Sequence, residues 1–122
     1  MSVTFDNSKP IYLQLIDYFF QKICNGSLKP GEKLPSVRET AVDVGVNPNT
    51  VQRTYAEMER RGVVESRRGQ GSFVTENEYL LKQLRTDISE QYVTNFIQYM
   101  KNNGFSNAEI LEQVEVTLEN SK

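Results

Sequence analysis

The stretch Asn47-Pro48-Asn49-Thr50-Val51-Gln52-Arg53 brings amides (Asn47, Asn49, Gln52), a hydroxyl (Thr50) and a guanidinium (Arg53) into one short run. These are the groups that pair with base edges in a major groove, Asn and Gln with adenine and Arg with guanine. Asn47 followed by Pro48 also has the form of a helix cap with proline at the first helical position, so Asn47 has two readings that can hold together. Asn49, one step inside the helix, has no such structural task. Arg38 stands near the start of the preceding helix, either as an ordinary solvated arginine or as a contact to a phosphate or a guanine. A cation at a helix N-terminus works against the dipole by about a few tenths of a kcal/mol, a misfit that points to an external anion. Arg67, Arg68 and Gln70 surround Gly69 and Gly71 in what reads as a hairpin tip, where a guanidinium enters a narrow minor groove or grips phosphates. Arg60 and Arg61 close a helix, and its dipole alone accounts for them.

Other chemistries find little to work with. The 122 residues contain no histidine and one cysteine, Cys24, so the usual metal clusters, disulfide frameworks and Cys/His or Ser/His pairs are missing. Neither a metal, a cofactor nor an enzymatic activity is expected. Cys24 falls on the apolar stripe of the first helix and reads as a buried structural thiol. The net charge of -2 is unevenly spread. From Lys29 to Thr75 eight bases (Lys29, Lys33, Arg38, Arg53, Arg60, Arg61, Arg67, Arg68) face six acids (Glu32, Glu39, Asp43, Glu57, Glu59, Glu65), whereas from Glu76 onward eight acids face four bases. The acidity therefore belongs to the C-terminal part, and the middle of the chain suits a polyanion. No stretch approaches the roughly 20 apolar residues of a membrane span, and the richest run, Ile11 to Cys24, is broken by Gln14, Asp17, Gln21 and Lys22. The start Met1-Ser-Val-Thr-Phe-Asp lacks the basic and apolar regions of a secretory signal, which makes the cytoplasm the expected location.

The elements that must position these groups follow from caps and periodicity. Lys9-Pro10 opens a helix whose Tyr12, Leu15, Ile16, Phe19 and Ile23 recur at helical spacing until Gly26. Leu28 to Pro35 is a turn-rich connector with at most a short strand around Lys33 and Leu34. Ser36 and Glu39 stand at capping-box spacing ahead of a short helix to Val44, Gly45 supplies a turn, and Asn47-Pro48 starts a helix with Val51, Tyr55 and Met58 on its buried face. Two short helices joined by such a turn make a helix-turn-helix, whose second helix lays its first residues in the major groove. Val63 to Arg68 and Ser72 to Thr75 then form a β-hairpin, a wing. Beyond Thr75, Leu81, Leu84, Ile88, Tyr92, Phe96 and Met100 predict one long amphipathic helix of about six turns. Asn102-Asn103-Gly104 stops it, and a second capping box at Ser106 and Glu109 opens a final helix with Ile110, Leu111, Val114 and Leu118 on its apolar face.

Leu34-Pro-Ser-Val-Arg38, Val44-Gly-Val-Asn-Pro-Asn-Thr-Val-Gln-Arg53, Glu59-Arg-Arg-Gly62 and Arg67-Arg-Gly-Gln-Gly-Ser-Phe-Val74 together resemble the DNA-binding domain of the GntR family of bacterial regulators, over about Lys9 to Val74. The short two-helix tail resembles the YtrA subfamily, which implies a dimeric regulator, typically a repressor, often of operons for ATP-binding-cassette transporters. The resemblance implies that Arg38, Asn47, Asn49, Thr50 and Arg53 approach bases or phosphates and that Gly69 to Gly71 contact DNA at the wing. Pro48 stands where relatives with large effector domains often have a polar or basic residue, so a base contact from that position is absent.

The expected architecture is mainly α with a small β-hairpin: a winged helix-turn-helix in residues 1–75 and a two-helix dimerisation segment in residues 76–122. The long apolar face of the tail exceeds what one short helix covers, so a second copy is expected to cover it and to set two recognition helices about 34 Å apart on an inverted repeat of double-stranded DNA. The alternative is that the long helix folds back on its own winged helix. Tyr79, Tyr92, Phe96 and Tyr99 either pack or line an effector site at the dimer interface, and no effector can be read from them. Docking of the helix face on a protein partner is the competing function, against which the clustered Arg67 and Arg68 weigh.

Overall fold

The computed structural model describes residues 4–121, so the first three residues of the N-terminal segment and Lys122 lie outside it. The chain divides into two compact units, one ending at Gln83 and the other starting at Leu84. The first unit holds α1 (Ile11–Cys24), α2 (Val37–Val44), α3 (Pro48–Arg60), β1 (Val64–Arg67), β2 (Gly71–Val74) and the start of α4 (Glu78–Asn102); the second holds the rest of α4 and α5 (Asn107–Asn120). This is the expected class, mainly helical with one small antiparallel sheet.

Each helix of the first unit begins where its local chemistry dictates. Pro10 precedes α1, and its carbonyl accepts from the Leu13 N–H at 3.2 Å. Ser36 caps α2 through the reciprocal box: its hydroxyl accepts from the Glu39 N–H at 3.1 Å, and the Glu39 carboxylate accepts from the Ser36 N–H at 3.0 Å. Gly45 ends α2 with φ +71, a left-handed conformation in which a side chain would be strained, and this allows the sharp turn into α3. Asn47 Oδ1 accepts from the Asn49 N–H at 2.8 Å, and Pro48 occupies the first turn. Thr75 and Asn77 form the entry to α4, where Asn77 Oδ1 accepts from the Leu80 N–H at 3.1 Å.

The core lies between α1 and α3. Leu15, Ile16, Phe19 and Phe20 meet Val51, Tyr55 and Met58, with Leu28, Leu34, Ala41, Val44, Val63, Val64 and Val74 closing the edges. Phe20, absent from the expected stripe, is buried too, and Cys24 is only half-buried because it stands at the end of α1 where the core runs out. Phe19 meets Tyr55 edge to face with centroids 5.5 Å apart. The Tyr55 hydroxyl is a polar link within this core. It donates to the Pro35 carbonyl at 2.7 Å and lies 2.7 Å from the Thr40 hydroxyl, which must then be the donor of that pair. One phenol thus ties α3 both to α2 and to the connector ahead of it.

The wing pairs Val64 with Val74, Glu65 with Phe73, Ser66 with Ser72 and Arg67 with Gly71, and its tip is closed by the Gln70 N–H donating to the Arg67 carbonyl at 2.8 Å. The connector adds a third, shorter partner: Lys33 bridges Phe73 antiparallel, with Leu34 N–H on the Ser72 carbonyl and Val74 N–H on the Glu32 carbonyl, both 2.8 Å. The short strand anticipated around Lys33 and Leu34 therefore exists as this single bridge.

In the second unit α4 runs without a break to Asn102, and the Phe105 N–H returns to the Met100 carbonyl at 3.1 Å around the Gly104 turn. Ser106 and Glu109 form the second capping box. No residue of α4 is buried, and on α5 only Ile110 is, at 6 % exposure.

Candidate nucleic-acid interface

The first turn of α3 is an outward-facing polar surface. Asn47, Asn49, Gln52 and Arg53 are exposed and Thr50 is half-buried, while Val51 and Thr54 point inward. Positions 49, 52 and 53 are three and four residues apart and share one helix face. Neither the Asn49 nor the Gln52 side chain has a hydrogen-bond partner among the described residues. Asn47 accepts the cap hydrogen bond on its carbonyl oxygen, which leaves its NH2 group free to donate to a ligand.

The six arginines of the first unit fall into three groups. Arg60 and Arg61 are engaged within the fold: both reach the Glu57 carboxylate, and their hydrogen bonds hold its pKa down to about 2. Arg53 and Arg67 are laid on aromatic rings, Arg53 with its guanidinium carbon 3.8 Å from the centre of the Tyr12 ring and Arg67 4.1 Å from that of Phe73. Such stacking fixes a guanidinium while leaving its in-plane N–H donors directed outward. Arg38 and Arg68 make no ion pair or ring contact among the described residues. Arg38 is exposed in the first turn of α2, and the neighbouring Glu39 carboxylate, held below the usual range chiefly by the backbone hydrogen bond from Ser36, is tied into the cap. Arg68, Gly69 and Gln70 form the exposed wing tip, with Gly71 beside it.

Three features escaped the sequence reading. Tyr12, on the apolar spacing of α1, is half-buried and also carries Arg53. A Tyr and an Arg 41 positions apart give no local signal, so only the packing of α1 on α3 reveals them. The second feature is the width of the apolar surface on distal α4. Besides Tyr92 and Phe96, Val93, Ile97 and Tyr99 are exposed, and at about 100° per residue the set sweeps an arc of roughly 160°. Following one stripe from Leu81 missed the second stripe, although Val93 and Ile97 at spacing four were legible. Of the residues expected to pair the tails, Leu81, Leu84, Ile88 and Met100 are half-buried, Phe96, Leu111, Val114 and Leu118 exposed, Tyr92 is 61 % exposed, and Ile110 is buried. Third, Tyr79, Tyr92 and Tyr99 are 79 %, 61 % and 68 % exposed in the single chain.

Comparison with known proteins places this geometry. The family described as bacterial regulatory proteins, gntR family, matches residues 11–74. The HTH-type transcriptional regulator YhcF of Bacillus subtilis is 45% identical over 119 residues, 98% of each chain. The HTH-type transcriptional repressor YtrA of the same organism is 48% identical over 71 residues, 58% of this chain and 55% of that protein. The solved structure of a GntR family transcriptional regulator from Listeria monocytogenes superposes with a TM-score of 0.88 at 41% identity, covering 91% of this chain and 97% of the other. With its capped helix pair, its wing and a match across nearly the whole length, the chain belongs to the GntR family of DNA-binding transcription regulators.

Proposed function

We propose that the chain acts in the cytoplasm as a homodimer that occupies an inverted-repeat operator and represses transcription from it. Residues 1–75 form the DNA-binding domain in this reading and residues 76–122 the dimerisation segment. The YtrA resemblance extends it to repression of a transporter operon. The observation that carries it is the first turn of α3, where Asn49 and Gln52 are exposed with no partner inside the described fold while Arg53 is held beside them on Tyr12. A row of exposed amides without partners in the described fold, beside a propped guanidinium, is suited to base edges. Arg38 and the Arg68–Gln70 tip serve the phosphates and the neighbouring minor groove.

Dimerisation is supported by the second unit. An α4 with no buried residue and a single buried position on α5 leave an apolar surface that a second copy of the same tail covers by two-fold symmetry. Among the described residues no helix is long and apolar enough to cross a membrane, so the surface has no bilayer-spanning use there. Footprinting on the DNA upstream of the chain's own gene tests the reading. A protected inverted repeat with half-sites about one helical turn apart supports it, and protection no better than on random DNA overturns it.

A further inference from the structure

Lys33 belongs neither to the recognition helix nor to the hairpin, yet the fold carries it to the wing. Its segment is held in register on the outer edge of β2 by the Lys33–Phe73 bridge and by hydrogen bonds from Gly31 N–H to Val74, Leu34 N–H to Ser72 and Val74 N–H to Glu32. From that fixed backbone the side chain runs over Gly71. A Cβ at Gly71 would lie 3.0 Å from Lys33 Cε and 3.7 Å from Nζ, and Gly71 itself sits at φ +112, a conformation that side chains rarely adopt. The ammonium group thus lies beside the wing tip that bears Arg68 and Gln70. Its charge is also felt at the first turn of α2: after the two hydrogen bonds from Ser36, Lys33 is a further cause that lowers the Glu39 carboxyl pKa. The cation therefore stands between the wing tip and the helix start that carries Arg38, and it is exposed.

In a winged helix-turn-helix one groove takes the recognition helix and the next takes the wing, with a sugar-phosphate strand between the two. We propose that Lys33 is a DNA-backbone residue that grips a phosphate on that dividing strand, in register with Arg38 and the wing tip. The inference rests on the operator-binding reading above. A lysine on a strand edge also discourages edge-to-edge pairing of sheets, a role that involves no DNA.

The charge is removed and the stem kept by Lys33→Met, with Lys22→Met on α1 as a control outside the interface. Affinity for the footprinted duplex is measured from 50 to 200 mM salt. Each lost phosphate contact lowers the log–log salt slope by about 0.9, so a dimer losing two contacts is expected to show a slope shallower by about 1.8 and to lose about 12-fold less affinity than wild type across that range. Duplexes with single neutral methylphosphonates locate the contact: one position between the α3 half-site and the flanking groove weakens wild type and leaves Lys33→Met unaffected. An unchanged slope in Lys33→Met, or methylphosphonates that weaken both proteins equally at every position, overturns the inference while the wild-type footprint still stands. Failure of wild type to bind any duplex removes the operator reading and the inference with it.

Discussion

Tyr55→Phe removes one oxygen from the centre of the helix-turn-helix, and its cost can be worked from the geometry. The phenol donates to the Pro35 carbonyl and accepts from Thr40, both at 2.7 Å. Pro35 is exposed, so its carbonyl recovers a partner from water, but Thr40 is 3 % exposed and its hydroxyl is left unsatisfied. A buried donor stranded in this way costs about 1–3 kcal/mol. In a unit of this size that corresponds to a fall in the thermal midpoint of about 5–20 °C. Adding Thr40→Val removes the stranded hydroxyl with little change of shape, so the double variant is expected to be more stable than Tyr55→Phe alone. Urea unfolding followed by circular dichroism measures all four corners of the cycle. Additive effects, or a double variant worse than either single one, refute the reasoning. The same group sets an alkaline limit. Burial pushes the Tyr55 pKa from 10.0 up to about 12, so the folded state holds this proton more tightly than the unfolded state. The associated stability is complete below pH 10 and is lost as pH rises through 12, a decline that Tyr55→Phe is expected to lack.

Three further outcomes follow from the same geometry. Asn49→Ala is expected to cost about 1–3 kcal/mol per half-site and to relax the preference at one base pair, measured by competition among operator variants. Tyr12→Ala is expected to weaken operator binding about 2- to 5-fold by releasing Arg53, corresponding to about 0.5–1 kcal/mol of cation–π stacking, whereas Tyr12→Phe keeps the ring and the affinity; equal losses in both variants exclude the ring as the support. Ile97→Glu places a charge on the wide apolar face of α4 and is expected to convert a dimer into a folded monomer by light scattering, with the circular dichroism of the helices retained.

Much of the DNA-binding half was legible because its signals are local. The Ser36/Glu39 box, the Gly45 turn and the Asn47-Pro48 start each fix backbone groups within four residues, and all three appear as read. The hairpin was legible for the same reason, since Gly69 and Gly71 bracket its tip. Contacts between distant segments were not. The Tyr12–Arg53 stack, the Tyr55 link to Pro35 and Thr40, and the passage of Lys33 over Gly71 join elements that only tertiary packing brings together. The pairing of Arg60 and Arg61 with Glu57 was in principle readable at helical spacing three and four, yet the helix dipole offered a sufficient explanation without it. On α4 the apolar residues drift around the helix, so a reading that followed one stripe found Leu81 to Met100 and overlooked Val93 and Ile97.

Native mass spectrometry of the purified protein with a duplex from its own upstream region, in the presence of excess scrambled duplex, bears most directly on the central claim. Two protomers on each specific duplex, with the scrambled DNA left unoccupied, is the expected result. One protomer per duplex, or equal occupancy of both DNAs, contradicts the account.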